Sequence, residues 1–245
     1  MNTPALDLIH PDWPAPRNVH ALVTTRQGGV SQGPWARLNL AAHVGDEPAA
    51  VAENRRRLCA YLPAEPVWLN QVHGVRCVDA GQTLRGIDAD ASFTRTRGVV
   101  CAVLTADCLP LLFCDEAGSV VAAVHAGWKG LAAGVIEAAV AAMAVPGERL
   151  LTWLGPAIGA DHFEVGDEVR EAFLAHDAHT AEAFVTAGEG KWRGDLYQLA
   201  RQRLLALGVQ RISGSDTCTM CESERFYSFR RDEVTGRMAS CIWLA

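Results

Sequence analysis

Three short stretches of this chain carry side chains able to hold a metal ion or to act as nucleophile and base. They are Asn70-Gln71-Val72-His73-Gly74, Thr105-Ala106-Asp107-Cys108-Leu109-Pro110 and Val124-His125-Ala126-Gly127-Trp128. Each ends or interrupts an apolar run, so two imidazoles and one thiolate are expected to converge where neighbouring strands finish. Structural zinc is closed by four protein ligands, whereas catalytic zinc keeps three and leaves one vertex open. His73, Cys108 and His125 therefore read as the ligands of an open metal site. Zinc is the expected ion, and copper the alternative for this borderline-soft donor set. Without a metal, Cys108 and His125 read instead as nucleophile and general base of a cysteine hydrolase or amidase. A third reading is a metal-binding or partner-binding module with no catalysis.

The elements that must position these residues follow from patterning. Residues 99–104, 109–114 and 120–124 are short, apolar and rich in β-branched types, as buried strands are. Asp115-Glu116-Ala117-Gly118 supplies a tight turn between the last two. Cys108 and His125 then sit on one β-hairpin, each at a strand end. Residues 19–25, 67–69, 75–78, 150–154, 209–212 and 238–244 read as further strands. A helix over 46–61 opens on Asp46 with Pro48 in its first turn. Others are expected over 131–144, over 165–176 with Val169, Phe173 and Ala172 inward, and after Asp195 up to Gly208. Strands and helices are mixed without strict βαβ alternation, which predicts an α/β chain with a mixed sheet layered by helices. No repeat or linker divides the 245 residues, so one domain over 1–245 is expected.

Composition narrows the function classes. The formal charge of −6 and the isolated Arg55-Arg56-Arg57 run leave no basic footprint for nucleic acid. The nearest thing to a membrane span, 131–145, contains Glu137. The first twenty residues carry Asp7, Asp12 and several prolines and do not resemble a signal peptide. A soluble cytoplasmic protein with reduced thiols is expected. Cys218-Thr219-Met220-Cys221 forms a CxxC, but a zinc ribbon needs a second pair at similar spacing, and the motif reads as packing near the surface. His10, His20, His162, His176 and His179 have no ligand context, while His43 is a candidate supporting residue.

Six ordered motifs together carry a resemblance. They are Thr24-Thr25-Arg26-Gln27-Gly28-Gly29-Val30-Ser31, Leu38-Asn39-Leu40 with His43-Val44-Gly45-Asp46, Trp68-Leu69-Asn70-Gln71-Val72-His73-Gly74, Thr105-Ala106-Asp107-Cys108-Leu109-Pro110, His125-Ala126-Gly127-Trp128-Lys129-Gly130 and Tyr227-Ser228-Phe229-Arg230-Arg231-Asp232. The chain resembles the YfiH-like family, also called the laccase-domain or polyphenol-oxidase-like family, whose members are known as purine nucleoside phosphorylases. The resemblance implies a single-domain α-β-β-α layered sandwich similar to the catalytic domain of cytotoxic necrotizing factor. It implies phosphorolysis of adenosine, inosine, guanosine and methylthioadenosine, with deamination of adenosine, and zinc on His73, Cys108 and His125. The family is also described as editing cell-wall precursors. A copper-dependent polyphenol oxidase fits less well, because no His-x-His pair is present to build a trinuclear cluster.

For that chemistry Asp107, next to Cys108, is the candidate carboxylate for moving protons, or else a turn residue. Phosphate needs cations and free amides. Arg26 with the Gly28-Gly29 turn and Ser31, Lys129, and the Arg230-Arg231 pair are the candidates. Asn70 and Gln71 are candidates for hydrogen bonds to base or ribose, and Trp128 and Phe229 for a stacking face. The implied partners are a nucleoside and phosphate, with no nucleic acid and no membrane.

Overall fold

The computed structural model of the chain describes residues 5–83, 86–214 and 217–245. Two sheets lie face to face. The first runs in the order β1 (Leu8–Ile9), β2 (Val19–Thr24), β13 (Met238–Leu244), β5 (Val100–Thr105) and is antiparallel. The second runs β12 (Arg211–Gly214), β8 (Leu150–Leu154), β6 (Leu109–Asp115), β7 (Val121–Ala126), β4 (Ala91–Thr94), β3 (Cys77–Asp79). It is mixed, with parallel pairs at both edges and antiparallel pairs between. A small third sheet joins β10 (Phe184–Gly188), β11 (Lys191–Gly194) and β9 (Glu164–Gly166).

Strand alternation builds the layers. Along β6, Leu109, Leu111 and Phe113 face the helices, while Leu112 and Cys114 face the other sheet. Between the sheets, Val23, Val103 and Ile242 meet Leu112, Val121, Leu151 and Trp153. Helix α1 (Pro48–Cys59) covers the outer face of the first sheet through Leu58, which joins Leu22, Leu38 and Ala102. Helices α2 (Trp128–Ala133), α3 (Val135–Met143), α4 (Asp167–Leu174) and α5 (Leu196–Ala206) cover the second. The result is an α-β-β-α sandwich in which β5, β6 and β7 are buried along their whole length. Each fully buried Leu or Phe there contributes about 1.5–3 kcal/mol of transfer free energy. No helix among the described residues is long and apolar enough to cross a membrane.

Several expectations are corrected locally. The helix expected over 131–144 starts earlier and is broken at Gly134, whose φ of +101° ends α2 and begins α3. Asp46 is not the cap of α1: Glu47 holds that position, and the Asp46 carboxylate instead accepts from Ser31 Oγ, Asn39 Nδ2 and the Glu47 amide. The strands expected over 67–69 and 75–78 shrink to β3 and to isolated bridges at Val67 and Asn70. Residues 164–166 pair with β11 before α4 begins, because the helix-like spacing of Val165 and Val169 also suits a short strand followed by a turn of helix. The cap at Asp195 is present, its side chain accepting from the Gln198 amide.

The polar motif at 24–31 turns out to be a fastening between α1 and the first sheet. Gly29 lies so close to Arg37 that an added Cβ would meet its carbonyl oxygen at 2.2 Å. Asn54, on α1 and fully buried, donates to Ser31 Oγ, Arg37 O and Asn39 O, and accepts from the Val30 amide at 2.8 Å. Replacing Asn54 by Ala leaves the Val30 amide and Asn39 O without their bond, while Ser31 Oγ keeps Asp46 and Arg37 O keeps the Ser31 amide, at about 1–3 kcal/mol for each group stranded. Asn54→Ala is expected to lower the unfolding free energy by about 2–3 kcal/mol in urea titrations, with an unchanged slope.

Candidate metal centre and cavity

The β6–β7 hairpin brings two of the three donors together. Pro110 pairs with His125 across it, Cys108 lies just ahead of β6, and His125 is within β7 and not past its end. By alternation His125 shares the face of Val121 and Ala123, so it stands where the layer between the sheets runs out. His73 arrives from the 70–76 loop. Its Nε2 is 3.8 Å from Cys108 Sγ, its ring lies edge-on to that of His125 with centroids 4.8 Å apart, and all three donor atoms lie within 4.8 Å of one another.

Asp90, just ahead of β4 and fully buried, holds this arrangement, and nothing in the sequence around it pointed to the role. One carboxylate oxygen accepts from His125 Nδ1 at 2.8 Å and from the His73 amide at 2.9 Å. The other accepts from the Gly74 amide at 2.7 Å and the Val72 amide at 3.2 Å. Its own carbonyl takes the His125 amide at 2.7 Å. With Nδ1–H committed to Asp90, His125 offers Nε2 to an ion. Burial pushes the Asp90 carboxyl up, but His125 and the Gly74 and Val72 amides outweigh it and hold it below the usual carboxylate range. A lowered carboxyl is charged at neutral pH, and its contribution is lost only as strong acid takes pH through that lowered value.

Two glycines explain the His-Ala-Gly-Trp-Lys-Gly spacing. A Cβ on Gly127 would meet His73 Cδ2 at 2.7 Å and Cys108 Sγ at 3.0 Å, and one on Gly130 would meet Gly74 O at 2.8 Å. The start of α2 must therefore be bare for the His73 loop to approach. His73 and Asp107 both take positive φ, +60° and +86°. Such strain costs on the order of 1–3 kcal/mol per residue and is kept where the surroundings enforce it.

The trio opens on a cavity of about 500 Å³. Gln71, Asp107 and Lys129 line it, together with His43, Trp128, Phe163, Phe229, Arg230 and Arg237. Gln71 grips β5 with both amide atoms, donating to Leu104 O at 2.8 Å and accepting the Leu104 amide at 2.7 Å. Asp107 accepts from Thr219 Oγ1 at 2.6 Å and from the Arg230 amide at 2.7 Å, so it braces the start of α6 (Phe229–Asp232) while facing the cavity. Lys129 makes no ion pair among the described residues and lies 5.6 Å from the Trp128 ring.

The other expected substrate contacts are elsewhere. The Arg26 guanidinium donates to Ala36 O and Ser223 O and covers the Tyr227 ring. Ser31 is buried against Asp46 and Asn54, Asn70 donates to Asp88 at 2.6 Å, and Arg231 is tied to Thr219, Met220 and Phe226 carbonyls. None of these four lines the cavity. Arg237, passed over in the sequence because nothing nearby marks it, does.

The donors fit a single ion. Zinc–sulfur and zinc–nitrogen bonds of about 2.3 and 2.0–2.1 Å in a tetrahedron put S and N about 3.6 Å apart, close to the 3.8 Å seen here. Burial pushes the Cys108 thiol up, yet His125 and His73 bring it down to about 6. Cys101 and Cys114, buried without such neighbours, are pushed up to about 12. Only the thiolate ligates a metal.

Asp90→Asn puts an NH2 where two donors point. It is expected to weaken metal binding about 10–100-fold and to lower stability by about 3–5 kcal/mol, read by chelator competition and denaturant unfolding. Gly127→Ala, whose φ of −66° suits alanine, should weaken metal binding at least tenfold and lower the unfolding midpoint, because the new Cβ pushes on the His73 ring and Cys108 Sγ. An unchanged metal affinity would show that the His73 loop does not need this close approach.

Comparison with known proteins shows the family. A family model described as multi-copper polyphenol oxidoreductase laccase matches residues 20–245. The chain is 57% identical over 237 residues to a Pseudomonas aeruginosa protein named purine nucleoside phosphorylase, covering 96% of this chain and 98% of that one. It is 56% identical over 240 residues to the purine nucleoside phosphorylase YfiH of Escherichia coli, covering 97% and 98%. Among solved structures it is similar to the Neisseria meningitidis protein NMB0706, with TM-score 0.94, 52% identity and coverage of 97% and 98%. The Bacillus licheniformis hypothetical protein YfiH aligns with TM-score 0.86, 32% identity and 93% of each chain. The chain belongs to the YfiH-like, laccase-domain family.

Proposed function

We propose that the chain is a zinc-dependent purine nucleoside phosphorylase, acting on adenosine, inosine, guanosine and methylthioadenosine, with an accompanying adenosine deaminase activity. The observation that carries this reading is one cavity holding a three-donor metal centre, three cations and aromatic walls. Its volume suits a small polar ligand. The naming of relatives at 56–57% identity supports the same reaction class.

His73, Cys108 and His125 would hold the ion, which when bound supplies a Lewis acid beside the substrate. Lys129, Arg230 and Arg237 face the same space and would gather phosphate. Arg237 is partly desolvated by burial, which lowers its pKa and strengthens its pull on an anion. Trp128, Phe163 and Phe229 offer faces for a purine. Phosphorolysis then forms a bond from a phosphate oxygen to the anomeric carbon as the bond to the base breaks; the electron pair leaves with the purine, which takes up a proton, while the cations hold the phosphate in place. Asp107 is the only carboxylate lining the cavity among the described residues, so proton movement in deamination falls to it. Its two hydrogen bonds leave each oxygen a further lone pair. Gln71 retains one N–H for the sugar or base after its bonds to Leu104.

One observation favours a second reading, a cysteine hydrolase. Cys108, His125 and Asp90 follow one another as nucleophile, base and orienting carboxylate do. Burial pushes His125 down, but Cys108 and Asp90 raise it to about 9, so the ion-free protein holds a thiolate beside an imidazolium. Copper-dependent polyphenol oxidation is the third possibility within the family. Among the described residues the two clusters of three donors are too small for a trinuclear copper centre.

The deciding assay incubates the metal-loaded protein with adenosine, with and without phosphate, and follows adenine, inosine and ribose-1-phosphate. Ribose-1-phosphate is expected only with phosphate, and Cys108→Ala or chelation should each lower its formation at least 100-fold. Activity that survives chelator and is lost on stoichiometric alkylation of Cys108 would overturn the phosphorylase reading in favour of the hydrolase.

A further inference from the structure

The CxxC, read from the sequence as incidental packing, acquires a third donor in the fold. A parallel bridge between Ala157 and Cys218 lays the 157–163 segment along 217–222, with the Ala157 amide on Thr217 O and the Thr219 amide on Ala157 O at 2.9 Å. The turn at 159–163 is closed by the His162 and Phe163 amides on Gly159 O, at 3.0 and 3.1 Å. This carries His162 to the two thiols: one donor atom from each of His162, Cys218 and Cys221 lies within 4.8 Å of the others. Gly159 is bare at that point, where an added Cβ would stand 3.3 Å from Cys218 Sγ.

We propose that His162, Cys218 and Cys221 form a second zinc site, with three protein donors and a fourth vertex left to solvent, that bridges the 157–163 segment and the 217–222 turn. Two thiolates and one imidazole are a soft set suited to zinc. The Gly159 amide donates to Cys218 Sγ at 3.3 Å, as an outer hydrogen bond does in stabilising a ligating thiolate. The Glu222 amide closes the CxxC turn on Cys218 O at 3.2 Å, so the two sulfurs are held on one side. Asp161 and Glu222 add negative charge next to Cys221. On binding, both thiols lose their protons to solvent while two zinc–sulfur bonds and one zinc–nitrogen bond form, and nothing is oxidised.

A dithiol redox pair is the competing use of this motif. A disulfide would join the two sulfurs directly at about 2.05 Å and give His162 no part, whereas the His162 donor lies within 4.8 Å of both. The site is separate from the His73–Cys108–His125 centre but shares a wall with its cavity. Ile158 and Phe163 line that cavity, and Thr219, between the two cysteines, donates to Asp107. An ion here would hold the Asp107 carboxylate and the Phe163 ring in place without touching substrate.

The test uses the full chain, stripped of metal under reducing conditions and titrated with cobalt(II), then with zinc. Wild type is expected to bind two equivalents. Cys108→Ala should keep one, with thiolate-to-cobalt absorption per metal about twice that of the single equivalent kept by Cys221→Ser. His162→Ala should weaken that retained equivalent at least tenfold. Circular dichroism of each variant separates loss of a ligand from loss of fold. The proposal is overturned if folded Cys108→Ala binds no cobalt, if its absorption shows a single thiolate, or if mass spectrometry of air-exposed, zinc-loaded protein finds Cys218 and Cys221 joined as a disulfide. Because the readout is stoichiometry and spectrum, it stands or falls independently of the phosphorylase assay.

Discussion

A single buried carboxylate governs the geometry of the centre. Asp90 is stripped of water and surrounded by four N–H donors, three from consecutive residues of the His73 loop and one from the His125 ring. Removing a charge from water costs several kcal/mol, and only a complete set of partners repays it. The loop cannot drift from β7 without exposing that charge to an apolar interior. The distance between two of the three metal donors is thus set by an interaction that involves no metal.

The rest of the sandwich serves to keep that corner rigid. β5, β6 and β7 are buried on both faces, which removes the freedom of the hairpin carrying Cys108 and His125. Gln71 locks the entry of the loop onto β5 as if it were a further strand residue, and Gly127 and Gly130 leave room for its exit. Strain at His73 and Asp107 is tolerated because these contacts surround it. Polar groups that seemed free to meet substrate, such as Arg26 and Ser31, are spent instead on joining α1 and the 24–46 region to the sheets.

Much of this was legible from residue types alone. The apolar runs beside His73, Cys108 and His125 announced both the hairpin and the donors, because short β-branched runs bury as strands and bring the residues at their ends to one margin of the sheet. Asp90 was not legible. It is one of 28 acidic residues, and what distinguishes it lies 16 to 35 positions away, in contacts that no local pattern records. His162 escaped for the same reason, being brought to the CxxC only by the bridge at Ala157. The break at Gly134 was hidden by its neighbours, because an alanine-rich apolar run reads as one helix whether or not its glycine turns left-handed. Arg26 and Arg231 show the converse limit: a guanidinium's five donors satisfy backbone carbonyls as readily as a ligand.

The three donors of the main centre are not mounted alike. Cys108 and His125 belong to a hairpin locked into the interior, whereas His73 sits on an exposed loop anchored through its backbone. A bound cation would therefore have two donors on its inner side and one on its outer side, where His73 stands between the ion and solvent. Water and chelators would compete first with that outer imidazole, so release would begin there.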